Sequence, residues 1–327
     1  MANMRDGMAG FGGSARGMNG AGGGTQPGGL DSAYIDRPQG GGQHGGGQQL
    51  HDRSIGDIIS ELKNLTSQQV ETVLAYQRQH RLRFGEAAVA LGFASDDDVL
   101  YALSQQFHYP YAPEERRDLS RELVAAVQPF SQQAEAFRAI RSQLMMRLFS
   151  ANEPKRALAV VSPEPGDGKT FFAANLAVTL AQLGGRTLLV DADMRGPRQH
   201  EVFAVANGAG LSNVLSGRKE TNVIHQVPDL PSLFLLPVGV TPPNPLELVE
   251  RPAFKLLLRE LLSKFDHVLV DTPAASYGAD AGVIAARCGS ALAIARKNQC
   301  HMNGLQDLVS SLAESPAKLA GVVLNDY

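Results

Sequence analysis

Ser162-Pro163-Glu164-Pro165-Gly166-Asp167-Gly168-Lys169-Thr170 follows an apolar run, Ala157 to Val161, and precedes an apolar helical pattern from Phe171 to Leu183. Strand, tight glycine-containing loop, Gly-Lys-Thr and helix form the layout of a phosphate-binding loop. Small residues let backbone N–H groups turn inward on a phosphate. The helix N-terminus adds unpaired donors and partial positive charge. In that layout Lys169 reaches the terminal phosphates and the Thr170 hydroxyl binds Mg²⁺. The usual pattern has glycine five residues before Gly168, where this chain carries Pro163.

Downstream of the loop the pattern is α/β. Strands are predicted at Ala157–Val161, Thr187–Val190, Leu233–Pro237, Val268–Val270, Ala291–Ala295 and Leu319–Leu324, with helical patterns between most of them. Short, continuously apolar strands alternating with helices predict a P-loop NTPase fold, a mostly parallel sheet covered on both faces. Two strands end in carboxylates: Leu188-Leu189-Val190-Asp191-Ala192-Asp193-Met194-Arg195 and Val268-Leu269-Val270-Asp271-Thr272-Pro273. Such residues sit at the carboxyl edge of the sheet, beside the phosphate loop, where they hold Mg²⁺ directly or through water.

Upstream, residues 131–149 read as a helix burying Phe137, Ile140, Leu144 and Leu148, with Glu135, Arg138 and Arg141 down one flank. Residues 112–130 read as a linker containing proline and charge. Residues 53–111 carry a repeat at an offset of 29, pairing Gly56-Asp57 with Gly85-Glu86, Thr66 with Ser95, Val70 with Val99 and Leu74 with Leu103. Each half reads as a short helix, a break and a second helix. The second helices open on capping signals, Thr66-x-x-Gln69 and Ser95-x-x-Asp98. The result is a small helical N-terminal domain. Residues 1–50 hold 17 of the 34 glycines and too few large apolar residues to offset chain entropy, which predicts a disordered Gly-rich tail.

A net charge of −3 gives no basic footprint for nucleic acid. Cys288 and Cys300 lack ligand spacing and read as reduced thiols. No apolar run is long enough to span a membrane, so a cytoplasmic location is expected. No Cys/His cluster for zinc and no Gly-x-Ser-x-Gly elbow is present.

The three motifs at Ser162–Thr170, Leu189–Arg195 and Val270–Pro273 together resemble those of bacterial tyrosine kinases. Gly210-Leu211-Ser212, Leu236-Pro237-Val238-Gly239 with Pro242-Pro243-Asn244-Pro245, and Gly321-Val322-Val323-Leu324-Asn325 agree. The resemblance covers residues 131–327. The whole layout resembles the chain-length-determinant kinases of exopolysaccharide operons. It implies a Mg²⁺-ATP-dependent protein-tyrosine autokinase. Catalysis would rest on Lys169, Asp191, Asp193 and Asp271, with Asp191 or Asp193 as proton acceptor and Thr170, Asp191 and Asp271 organising the metal. Nucleotide contacts would come from Pro165, Gly166, Asp167, Gly168, Lys169, Thr170, Phe171, Arg195 and Asn325. Glu135, Arg138 and Arg141 match an oligomerisation motif, which implies a homo-oligomeric ring. A membrane chain-length-determinant protein is the implied partner, holding the chain at the inner membrane. The family's C-terminal tyrosine cluster is reduced here to Tyr327, the candidate phosphoacceptor; Tyr109 and Tyr111 form a second pair, read as packing residues.

Arg83-Phe84-Gly85-Glu86, Gly92, Val99, Leu103 and Gln106 resemble the N-terminal module of type II secretion and pilus ATPases. Some members of that family bind cyclic di-GMP. Here the two copies lie close together, and Lys63 stands where the second copy has Gly92. Two other functions compete with the kinase. A partition-type positioning ATPase would carry a second lysine early in its phosphate loop, where this chain has Glu164. A cyclic-di-GMP-responsive adaptor would have no need of an intact Lys169, Thr170 and acidic set.

Overall fold

Residues 35–36, 54–106, 120–150, 153–218 and 220–326 are described in the computed structural model. The tail expected over 1–50 therefore lies outside the described residues apart from Ile35–Asp36. Tyr109, Tyr111 and Tyr327 lie outside them too.

Strands β1 (Ile35–Asp36), β2 (Leu158–Val161), β3 (Thr187–Asp191), β4 (Ile224–Gln226), β5 (Leu233–Leu236), β6 (His267–Asp271), β7 (Ser290–Arg296) and β8 (Lys318–Asn325) form one sheet. Its order is β1-β4-β5-β3-β6-β2-β7-β8, and only the β4–β5 pair is antiparallel. All six predicted strands are present. Two strands were not predicted: β1, Ile35–Asp36, falls within the stretch expected as a disordered tail and pairs with β4, and β4 is three residues long and carries His225 and Gln226, so it offered no apolar run.

The central strands are apolar throughout because both faces are covered. Leu158, Val160, Leu189 and Leu269 enter one core, while Ala159, Val161, Leu188, Val190, Val268 and Val270 enter the other. The first core is closed by α5 (Val124–Val127), α6 (Gln132–Arg147) and α7 (Lys169–Ala181). Between the sheet and α5–α6, α7 buries every residue except Thr170. On α6, Phe137, Leu144 and Leu148 are buried, and Ile140 packs beside them half-buried. The second core is covered by α9 (Leu211–Leu215), α10 (Pro245–Glu250), α11 (Pro252–Lys264), α12 (Asp280–Cys288) and α13 (Met302–Glu314). A short α8 (Gln199–Val202) follows β3.

The reading of 112–130 as linker needs correction at its C-terminal end. Leu123 to Val127 are buried, and Asn175 of α7 clamps them. The Asn175 Oδ1 accepts from Ala125 N at 2.9 Å, and its Nδ2 donates to Glu122 O at 2.8 Å. Five consecutive small or branched apolar residues gave α5 a surface to bury, and the flanking charges concealed it.

The repeat yields α1 (Ile55–Leu62), α2 (Ser67–His80), α3 (Phe84–Ala90) and α4 (Asp96–Gln106). Side chains reach back to the first turn at matching phase. Ser54 and Asp57 open α1, Thr66 and Gln69 open α2, the Glu86 carboxylate accepts from Arg83 N before α3, and Asp98 accepts from Ser95 N before α4. Lys63 pairs with this Asp98 at 2.9 Å, so its charge ties the two halves of the repeat together.

Candidate active site

The segment from Ser162 to Gly168 links β2 to α7. Gly166 and Gly168 adopt φ of +84° and +94°, a region closed to most side chains, which is how the loop turns its amides inward. A Cβ on Gly168 would also run into the Asn325 amide. The loop is braced internally: Ser162 Oγ donates to Glu164 O at 2.8 Å, and Asp167 Oδ2 accepts from Glu164 N at 3.0 Å. Outside braces come from the ends of β7 and β8. Arg296 Nη1 donates to Gly166 O at 3.3 Å and Asn325 Nδ2 to Asp167 O at 3.1 Å. Pro163 costs the loop nothing, because the carbonyls there are the groups in use: Ser162 O and Pro163 O accept from Ala275 N and Ser276 N.

Asp191 and Asp271 lie directly opposite each other in the β3–β6 register. Both are buried, and so are Asp193 and Lys169. Asp191 accepts from Asp193 N and Gln199 N, each at 3.1 Å. Asp193 Oδ1 accepts from Arg195 N at 3.2 Å and Gly196 N at 3.0 Å, fixing the turn after β3. Burial drives the Asp191 carboxyl well above the usual carboxylate range, and the Asp271 charge beside it adds to the rise. Burial likewise pushes Asp271 up to about 6, against the lowering pull of the Lys169 ammonium and the Gln199 hydrogen bond.

The sequence reading missed Gln199. It is sealed from solvent at the start of α8. Its Nε2 donates to Asp271 Oδ2 at 2.8 Å and to Thr170 O at 3.1 Å, while its backbone N–H serves Asp191. One residue thus braces both strand-end carboxylates and the phosphate-loop helix. Six positions beyond Asp193, no spacing rule marks it; only the fold does.

Two predicted nucleotide contacts are placed differently from the reading. The Phe171 side chain packs edge-on against Phe137 at 5.8 Å between ring centres, so its ring serves the core rather than a nucleotide. Arg195 extends to α12, where Nη2 meets Asp280 Oδ2 at 2.9 Å. The flank of α6 is engaged within the chain. Arg138 binds Glu135 at 2.8 Å and Pro129 O at 2.6 Å, and Arg141 binds Thr179 O at 2.8 Å.

The residues fit a magnesium-bound phosphate. Asp271 Oδ1 and Gln199 Oε1 are buried acceptors without a donor among the described residues, and the Thr170 hydroxyl lies against the Asp271 carboxylate. Among the described residues no three His, Cys, Asp or Glu side chains group as a self-sufficient metal cage. That suits Mg²⁺, which takes one or two protein oxygens and completes its shell from phosphates and water.

A glycine-turned loop with a buried lysine at a helix head, faced by carboxylates from two neighbouring strands, defines a P-loop nucleotide-binding protein. Residues 158–327 match the CobQ/CobB/MinD/ParA nucleotide binding domain family (CbiA). Over 197 residues the chain is 33% identical to the putative tyrosine-protein kinase CapB of Staphylococcus aureus, covering 60% of this chain and 86% of CapB. The kinase domain of the Escherichia coli tyrosine kinase ETK superposes with a TM-score of 0.60 at 30% identity, over 65% of this chain and 84% of that one. The chimeric protein CapA2B2 superposes with a TM-score of 0.58 at 32% identity, over 69% and 97%. The chain belongs to the bacterial tyrosine kinases, within that wider nucleotide-binding family.

Proposed function

We propose that this chain is a Mg²⁺-ATP-dependent tyrosine autokinase that regulates exopolysaccharide chain length or export. The observation carrying it is the convergence of Lys169, Thr170, Asp191, Asp193 and Asp271 on one edge of the sheet, in a chain of this family. Lys169 and the amides of Gly166 to Thr170 bind the β- and γ-phosphates. Thr170, Asp271 and Asp191 would hold the Mg²⁺, whose charge would offset that of the phosphates. Asp193 receives the tyrosine proton, because Asp191 is fully sealed while Asp193 keeps 8% exposure. Asn325, braced against the phosphate loop, contacts the base. Arg195, held by Asp280, swings to the phosphates only if that pair opens.

The likeness to the CapA2B2 chimera supports a membrane chain-length-determinant partner, which would hold the chain at the cytoplasmic side of the inner membrane. Among the described residues no helix is long and apolar enough to cross a membrane. Glu135, Arg138 and Arg141 supply a ring interface, and Tyr327 is the acceptor presented to a neighbouring copy. Glu164, standing where a partition-type ATPase would place its second lysine, argues against that alternative. Cyclic di-GMP remains the candidate ligand of residues 53–111, with Lys63 already committed to Asp98.

Purified protein given labelled ATP and Mg²⁺ should gain phosphotyrosine, and Lys169→Ala should abolish it. Mass spectrometry then maps the site. ATP hydrolysis with no phosphotyrosine, partner present, would return the protein to the positioning ATPases.

A further inference from the structure

Gly210-Leu211-Ser212 and Pro242-Pro243-Asn244-Pro245 have no part in the nucleotide chemistry, yet they meet at the carboxyl edge beyond β5. Leu211 N and Ser212 N donate to Pro237 O and Val238 O at 2.8 and 2.9 Å. Ser212 Oγ donates to Val240 O at 2.5 Å, and Gly239 N donates to Asn207 Oδ1 at 2.7 Å. Gly210 lies so close to Pro237 and Gly239 that a Cβ would overlap their backbone. This double anchorage fixes one wall of a cavity of about 300 Å³. Val240, Pro242 and Leu248 give it an apolar lining; Arg218 and Arg251 stand at its rim with Glu247 as the only carboxylate. Both arginines are exposed, and neither guanidinium has a partner among the described residues.

The position is informative. Along the carboxyl edge the order runs Asn325 on β8, then β7, the phosphate loop after β2, Asp271 on β6, Asp191 on β3, then β5. With the base at Asn325, the terminal phosphate points toward β6 and β3, and the acceptor must arrive from the β5 side. β5, whose following segment Val240 to Asn244 lines the cavity, lies one strand step, about 4.8 Å, beyond β3. An extended segment advancing about 3.4 Å per residue, with its tyrosine at Asp193, therefore lays its next few residues in the cavity.

We propose that this pocket is the acceptor site, taking the acidic residues that flank the target tyrosine, with Arg218 and Arg251 binding their carboxylates. This rests on the kinase reading above and names its substrate class. The test titrates the full chain, loaded with ADP and Mg²⁺, with two fluorescent tyrosyl peptides, one flanked by glutamates and one by serines. The acidic peptide should bind at least tenfold more tightly. Arg218→Glu with Arg251→Glu should erase that preference and raise the Kd for the acidic peptide about tenfold, while nucleotide affinity stays within twofold. Equal affinity for the two peptides, or an unchanged preference in the double variant, overturns the proposal. Binding is read without turnover. A chain that binds the acidic peptide selectively but phosphorylates no tyrosine leaves the pocket standing and refutes the kinase reading instead.

Discussion

Replacing Gln199 by leucine, similar in volume and equally at home in a buried position, isolates what its amide does. The backbone N–H that serves Asp191 survives the change. Lost are the 2.8 Å hydrogen bond to Asp271 Oδ2 and the 3.1 Å bond to Thr170 O. A hydrogen bond to a charged group contributes about 1.5–3 kcal/mol and a neutral one about 1. Against this, the variant removes Gln199 Oε1, a buried acceptor with no donor, a relief of about 1–3 kcal/mol. Stability of the nucleotide-free protein should therefore fall by no more than about 3 kcal/mol. Metal binding has no such compensation. Residues that orient a metal's ligands typically contribute about 10–100-fold to its affinity. Calorimetry of ADP binding with and without Mg²⁺ should show that factor lost from the magnesium-dependent part in Gln199→Leu, with the magnesium-free affinity nearly unchanged. A variant that keeps the full magnesium enhancement would show that Asp271 and Thr170 are positioned without Gln199, and the bracing argument would fail.

Asp271, raised by burial from 3.8 to about 6, makes the nucleotide-free protein pH-sensitive. A carboxylate with a raised folded pKa contributes stability at low pH that is lost as pH climbs through about 6. At about 1.4 kcal/mol per pKa unit the full loss between the unfolded value of 3.8 and about 6 is on the order of 3 kcal/mol, of which about 1 kcal/mol falls between pH 5.5 and 7.5. His267, which burial holds below its ordinary 6.5, opposes this as pH falls, so the slope belongs to the difference between wild type and Asp271→Asn in urea titrations at pH 5.5 and 7.5. Equal pH slopes in the two proteins would contradict it. Gly168→Ala forces a side chain to φ +94° and into the Asn325 amide, and ADP affinity measured by calorimetry should fall at least tenfold; a change within twofold refutes the loop geometry. Arg138→Ala with Arg141→Ala should lower the mass seen by light scattering if these residues join subunits. An unchanged mass with a lower melting temperature would confine them to their contacts with Pro129 and Thr179.

The parts of this protein written as local pattern were legible in its sequence. Continuous apolar runs ending in Asp191 and Asp271 declared parallel strands, and Gly-Lys-Thr declared the loop. The offset of 29 gave four helices in phase, because each capping residue acts within three positions of its partner. What depends on distant partners was hidden. Val124 to Val127 became a helix where Asn175, some fifty residues later, satisfies its backbone and α6 and α7 cover its side chains. Gln199 acquired its role from three groups on β3, β6 and α7. Arg195 was legible as a cation near phosphate, but its partner Asp280 lies 85 residues away.

That last displacement bears on the chemistry. The edge of the sheet gathers Asp191, Asp193 and Asp271 against Lys169, the one buried lysine or arginine among the described residues. Arg195 would halve the imbalance, yet its guanidinium is spent on Asp280, whose second oxygen is itself buried without a donor. A triphosphate entering this surplus of negative charge is repelled unless more positive charge comes with it. The protein lowers the repulsion in the empty state by drawing protons onto Asp191 and Asp271. Those protons must leave when a divalent cation binds, so nucleotide binding should release protons near pH 6 and weaken as pH falls. Metal, nucleotide and proton are therefore one linked equilibrium at this site, in which Asp191 and Asp271 interact directly through their charges and Gln199 holds both in place.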